Sequence, residues 1–173
     1  MPRSNCHSSL NATPKGFSLI EVLVALLVLS IGLLGLAALQ TTSLKYNTDS
    51  YTRTQATLLA YDIIDRMRSN LKGVDAGNYN VTSATAATKI SAYNSCKASP
   101  TGCGCNLSGA NCSASNLALY DLGEWYEGLA ASLPEASTYL ATISATSRTV
   151  TVTIQWKDRD LPTPNQQTWT VEL

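Results

Sequence analysis

Residues 17–39, FSLIEVLVALLVLSIGLLGLAAL, form an unbroken 23-residue apolar run with one charge, Glu21. At ~1.5 Å per residue, a helix of that length spans roughly 35 Å, enough to cross a ~30 Å hydrocarbon core. The run exceeds the about 7–15 residues of a signal-peptide core, and only Ala37-Ala38 offers a weak small-residue cleavage site. Arg3 and Lys15 precede it, and no basic residue follows until Lys45. The positive-inside rule then puts the N-terminus in the cytoplasm and the remainder beyond the membrane. One helix and a modest head are what such a chain can build.

Composition narrows the function classes. Twelve Lys and Arg offset twelve Asp and Glu among 173 residues, so no overall basic field points to direct nucleic-acid binding. The single histidine, His7, lies within the first sixteen residues. Removal of that segment leaves no histidine. Ser-His-Asp and Cys-His catalysis and histidine-ligated metals are then excluded. No enzyme, cofactor or metal is expected.

Glu21 conflicts with a plain membrane anchor. An acid inside the apolar segment costs about 2.5–3.5 kcal/mol on insertion scales and therefore asks for a cationic partner. Cleavage between Gly16 and Phe17 would create one, an ammonium four residues from Glu21. In an assembly, the Phe17 ammonium of another subunit could serve equally.

The segment Lys15-Gly16-Phe17-Ser18-Leu19-Ile20-Glu21-Val22 resembles the processing site of type IV prepilins and pseudopilins. The resemblance implies a prepilin peptidase that cuts after Gly16 and methylates Phe17, and a docking role for Glu21 in the growing filament. Residues 1–16 would be the cleaved leader, somewhat long for the family. Residues 17–39 would be the membrane and filament-core half of the long helix, and 40–173 the periplasmic head.

Residues 40–70 contain no Gly or Pro. Leu44, Tyr51, Leu58, Leu59, Ile63 and Met67 recur at helical spacing, which predicts one helix from about Ser18 to Asn70 with this stripe facing the head. Asp62 and Arg66 stand at i,i+4, and Gly73 is the expected stop. Gly32 and Gly35 lie inside the apolar half. They read either as small residues for close helix packing or as a site of local melting on leaving the bilayer.

The stretch Leu59–Asn70, with Asp65-Arg66-Met67-Arg68-Ser69-Asn70 at its end, resembles the corresponding segment of the PilV group of minor pilins, also called type IV pilus modification proteins. Its charges fit a solvated helix end or a contact with a neighbouring minor pilin.

Residues 73–115 are rich in small polar residues and read as an irregular connection with one short strand near Tyr79–Thr82. Five cysteines occur, and loss of the leader removes Cys6. Cys96, Cys103, Cys105 and Cys112 remain as disulfide candidates in an oxidising compartment. Two pairings are open: Cys96–Cys103 with Cys105–Cys112, or Cys96–Cys105 with Cys103–Cys112. A tetrathiolate zinc site is the rival reading, and a redox-active pair has no support.

Residues 116–132 read as a second helix, capped by Ser115 or Asn116 and ended by Leu133-Pro134. Its apolar face is Leu119, Leu122, Trp125, Tyr126 and Leu129. Trp125 reads as core, while Glu124 and Glu127 read as a solvated face. The pattern from Asp121 to Pro134 again resembles the PilV group. Thr149–Trp156 and Thr168–Leu173 alternate as antiparallel strands, with Tyr139–Ser144 a candidate third. Asp158 and Asp160 read as loop residues, not a calcium site.

The expected fold is α+β and type IV pilin-like, a long N-terminal helix packed on a small antiparallel sheet, plus a short second helix. The resemblance implies a minor pilin of the type IV pilus that joins the major pilin, other minor pilins and an adhesin-like tip protein. It would prime assembly from the inner membrane and serve twitching motility and adhesion on the bacterial surface. The alternative is a minor pseudopilin of a type II secretion system.

Overall fold

The computed structural model describes residues 16–98, 105, 112–134, 142–146, 148–157 and 163–173. Helix α1 spans Leu19–Ser69, α2 Leu71–Asp75, α3 Ser83–Lys97 and α4 Ala114–Ser132, followed by strands β1 Thr142–Thr146, β2 Thr149–Trp156 and β3 Asn165–Glu172. The chain divides into two compact units, one ending at Lys45 and one running Tyr46–Leu173.

The first unit is the apolar part of α1. Its large hydrophobes are exposed, with Phe17 84% and Leu33 57% accessible. α1 contains the one described stretch long and apolar enough to cross a membrane. Helix geometry persists through Gly32 and Gly35, where an added Cβ would meet no atom within 4 Å.

The second unit is an α+β head. Its strands form a three-stranded antiparallel sheet in the order β1-β2-β3. Alternation on β2 buries Val150, Val152, Ile154 and Trp156, and these join Ala56, Ala60, Ile63, Ile64 and Met67 of α1 in one core with Leu122, Trp125 and Leu129 of α4. At roughly 25 cal/mol per Å² of apolar surface, this shared burial is the main force holding helix to sheet. Trp125 is core, as its spacing predicts.

Several expectations need correction. The face of α1 turned to the head is Thr52, Ala56, Ala60, Ile63, Ile64 and Met67, whereas Leu44, Tyr51 and Leu58 are exposed and Leu59 is half-buried. Ile63 and Met67 of the expected stripe are buried, and the small residues Thr52, Ala56 and Ala60 take the inward positions nearer its start. α1 also stops before Gly73. Asn70 ends it and caps α2, its side-chain oxygen accepting the Gly73 N–H at 3.2 Å.

The stretch read as irregular contains α3. Thr82 and Thr85 close a capping box at its start. Only Ala86 and Tyr93 of this helix are buried, so its apolar period is faint. The strand expected near Tyr79–Thr82 is a single bridge, Val81 to Ile143. α4 is capped by Ser113, whose Oγ accepts the Asn116 N–H at 3.2 Å, two to three residues before the expected cap. β1 is Thr142–Thr146, which includes the described part of the expected Tyr139–Ser144 (residues 139–141 lie outside the described residues), and β3 starts at Asn165 instead of Thr168. Residues 1–15, Cys103, Asp158 and Asp160 lie outside the described residues.

Candidate functional site

Gly16, Phe17 and Ser18 precede the helix, and the Ser18 carbonyl accepts the N–H groups of Glu21 at 3.0 Å and Val22 at 3.3 Å. Glu21 thus sits in the first turn of α1, where the helix dipole favours a negative charge. Phe17, Glu21, Val22, Ala25, Leu26 and Leu29 line one shallow groove along this end. Their spacing of four and eight residues puts them on one face. The groove is apolar except for the carboxylate, and residues 17–44 contain no Lys, Arg or His. This end of α1 is thus an exposed apolar face that carries one acid.

The conspicuous segment at the end of α1 does something different. Asn70 Nδ2 donates to the Ala114 carbonyl at 2.8 Å and to Tyr79 Oη at 3.1 Å. Tyr79 Oη donates in turn to Asp121 Oδ2. Arg66 pairs with Asp62 at 3.0 Å and reaches the other Asp121 oxygen at 3.6 Å. Asp121 and Asn70 are buried. Arg66 is therefore not a free solvated charge. It and Asn70 tie α1 to α2, α4 and the Tyr79 turn. Arg68, paired with Asp65 at 2.8 Å, remains on the exposed side. The sequence does not link Tyr79 to Asp121, because a separation of 42 positions carries no local signal.

Burial raises the Asp121 carboxyl above its ordinary 3.8, against the downward pull of the Tyr79 hydrogen bond and the Arg66 charge. Burial, with the Asp121 carboxylate, also pushes the Tyr79 phenol up. Since the folded-state Asp121 titrates high, its contribution to stability is complete below pH 3.8 and is lost as pH rises through the raised value. Asp121→Asn should remove this slope. In urea melts across pH, the stability of wild type relative to the variant should fall as pH rises. A relative stability that grows with pH would mean that the Arg66 pair dominates.

Glu124 and Glu127 are not a simple solvated face. Tyr93 Oη donates to Glu124 Oε1 at 2.6 Å, and Lys97 pairs with Glu127 at 2.9 Å, so both acids tie α4 to α3. Cys105 and Cys112 form a disulfide with Cα atoms 4.8 Å apart, the uncrossed arrangement for this pair. Cys96 is also disulfide-bonded. Bridged sulfurs cannot serve as thiolate ligands, which removes the donors a tetrathiolate zinc site requires.

A long apolar N-terminal helix with an acid in its first turn, leading into a head of helices and a small antiparallel sheet, defines the pilin-like α+β class. Comparison with protein families carries this further. Residues 38–123 match the family described as type IV pilin Tt1218, and residues 13–37 match the prokaryotic N-terminal methylation motif. Over these residues the chain is similar to type IV pilins and carries a prepilin-type N-terminus. No curated protein and no solved structure matches it.

Proposed function

We propose that the protein is a minor pilin of the type IV pilus, of the PilV group, with a structural and not a catalytic role. Prepilin peptidase cuts after Gly16 and methylates Phe17. The subunit waits in the inner membrane with its N-terminus cytoplasmic and its head periplasmic. It then joins other minor pilins and the major pilin to prime the filament, beneath an adhesin-like tip protein. Twitching motility and adhesion follow from that assembly.

The observation that carries this reading is Glu21, placed in the first turn of a helix whose residues up to 44 contain no Lys, Arg or His, within a matched methylation motif. In the assembled filament the carboxylate meets a Phe17 ammonium, where exclusion of water strengthens their attraction. The exposed apolar face buries against other helices at the same time.

Glu21→Ala should insert in the membrane at the wild-type level and yet be missing from sheared filaments. Normal recovery of the variant in filaments would sink the assembly role. Deletion of the gene should cause a large loss of sheared surface pili, measured also in a strain with retraction disabled. Normal pili with a defect in protein export would move the protein to the type II secretion pseudopilins.

A further inference from the structure

The two edges of the head sheet are treated differently. The outer edge of β1 is covered by the chain itself. Val81 exchanges backbone hydrogen bonds with Ile143 at 2.8 and 2.9 Å, and the Ala145 N–H donates to Asn80 Oδ1 at 2.7 Å. β3 is the other edge, and among the described residues no strand pairs with it.

The register shows which groups that edge offers. The Leu173 N–H donates to the Arg148 carbonyl, one step beyond the Thr149–Glu172 pair. In an antiparallel ladder, residues alternate between those bonded to the neighbour and those pointing away. Asn165, Gln167, Trp169 and Val171 therefore bond β2, and Gln166, Thr168, Thr170 and Glu172 present N–H and C=O groups outward. β3 carries none of the usual guards against edge pairing. Its pairing to β2 runs without a bulge over eight residues, it contains no Pro, Lys or Arg, and its one charge is Glu172 at the end.

Beneath this edge the core is incomplete. Trp169, Val171 and Leu173 pack against it but stay half-buried, and Gln167 Oε1 is buried without a hydrogen-bond partner. Free backbone groups, an apolar row below them and an orphaned acceptor are what a missing fourth strand would leave.

We infer that the β3 edge receives an extended segment of a different subunit, which adds to the sheet as a fourth strand. The segment has apolar residues at alternate positions to cover Trp169, Val171 and Leu173, and a Lys or Arg beside Glu172. The choice of a different subunit rests on the pilin reading. Pairing of β3 with β3 of a second copy is two-fold and closes on itself, whereas a filament grows through heterologous contacts.

The test uses the full mature chain in detergent micelles and a synthetic octapeptide of alternating valine and threonine with one terminal lysine. Amide hydrogen exchange is followed at Gln166, Thr168, Thr170 and Glu172. These amides should exchange rapidly in the free chain and slow by about tenfold with the peptide. Thr168→Pro and Thr170→Pro remove an outward N–H at an edge that tolerates proline, so the fold should persist while protection is lost. Thr170→Val keeps the N–H and should keep protection. Slow exchange in the free chain, no protection by the peptide, or protection that grows with protein concentration alone would each overturn the inference.

In cells, the Thr170→Pro chain should be depleted at least several-fold from sheared filaments and the Thr170→Val chain should not. Equal incorporation would overturn the assignment of this edge to a neighbouring subunit. If even the wild-type chain is missing from filaments, the pilin reading fails, and the peptide experiment still decides whether the edge takes a strand.

Discussion

Replacement of Gly123 by alanine is expected to destabilise the head by about 2 kcal/mol, although alanine favours a helix by about 1 kcal/mol over glycine. The reason is the approach of α3. A Cβ built on Gly123 would lie 2.0 Å from Tyr93 Cγ and 2.1 Å from Cδ2, inside the ring itself. The ring has little freedom to withdraw. Its hydroxyl is held by Glu124, its edge meets Tyr120 with centroids 6.1 Å apart, and Lys97 lies 5.3 Å from its centre. Overpacking must therefore separate α3 from α4 or break these contacts. Chemical denaturation of the purified chain measures the loss. Tyr93→Ala alone should also destabilise, but the double variant should cost less than the sum of the two. Additive losses would show that the ring is not what alanine meets.

Trp125→Ala should be more damaging, about 4 kcal/mol, near the limit of what a small head tolerates. Trp125 is 1% exposed and packs edge-on against Tyr126 with centroids 5.3 Å apart. Its indole N–H donates to the Leu59 carbonyl of α1 at 2.8 Å. The alanine variant loses the packing volume and the link between α4 and α1 together. Trp125→Phe keeps most of the volume and loses the hydrogen bond, for about 1–2 kcal/mol. Thermal unfolding should rank wild type above Phe and Phe above Ala. A phenylalanine variant as unstable as the alanine one would assign the effect to the hydrogen bond instead of the volume.

These two residues show how far sequence reading reached. Trp125 was legible because its neighbours Leu122 and Leu129 repeat at helical spacing and a helix needs a buried face. Gly123 was not, because its importance comes from a tyrosine thirty residues earlier on a helix with almost no apolar period. The same holds for Arg66. Its sequence neighbourhood suggested a helix end or an outward contact, and only the fold brings Asp121 to it. The expected stripe of Leu44, Tyr51, Leu58, Leu59, Ile63 and Met67 held at Ile63 and Met67 and failed at Leu44, Tyr51 and Leu58 for a related reason. Periodicity identifies a face but not which of two faces a helix turns inward. Here Ala56 and Ala60 face inward with Ile63, Ile64 and Met67, and Leu44, Tyr51 and Leu58 are outside.

The sequence by itself determined the long apolar helix, the acid in its first turn, the Gly16-Phe17 junction, and the alternating strands at the end of the chain. All of these are local: runs, spacings and alternations act between residues a few positions apart. Tertiary structure alone decided the inward face of α1, the Asn70–Tyr79–Asp121–Arg66 network, the packing of α3 on Gly123, and which sheet edge the chain covers with its own backbone. Each of those depends on groups tens of residues apart, brought together by burial of a shared core, and a one-dimensional pattern carries no record of such distances.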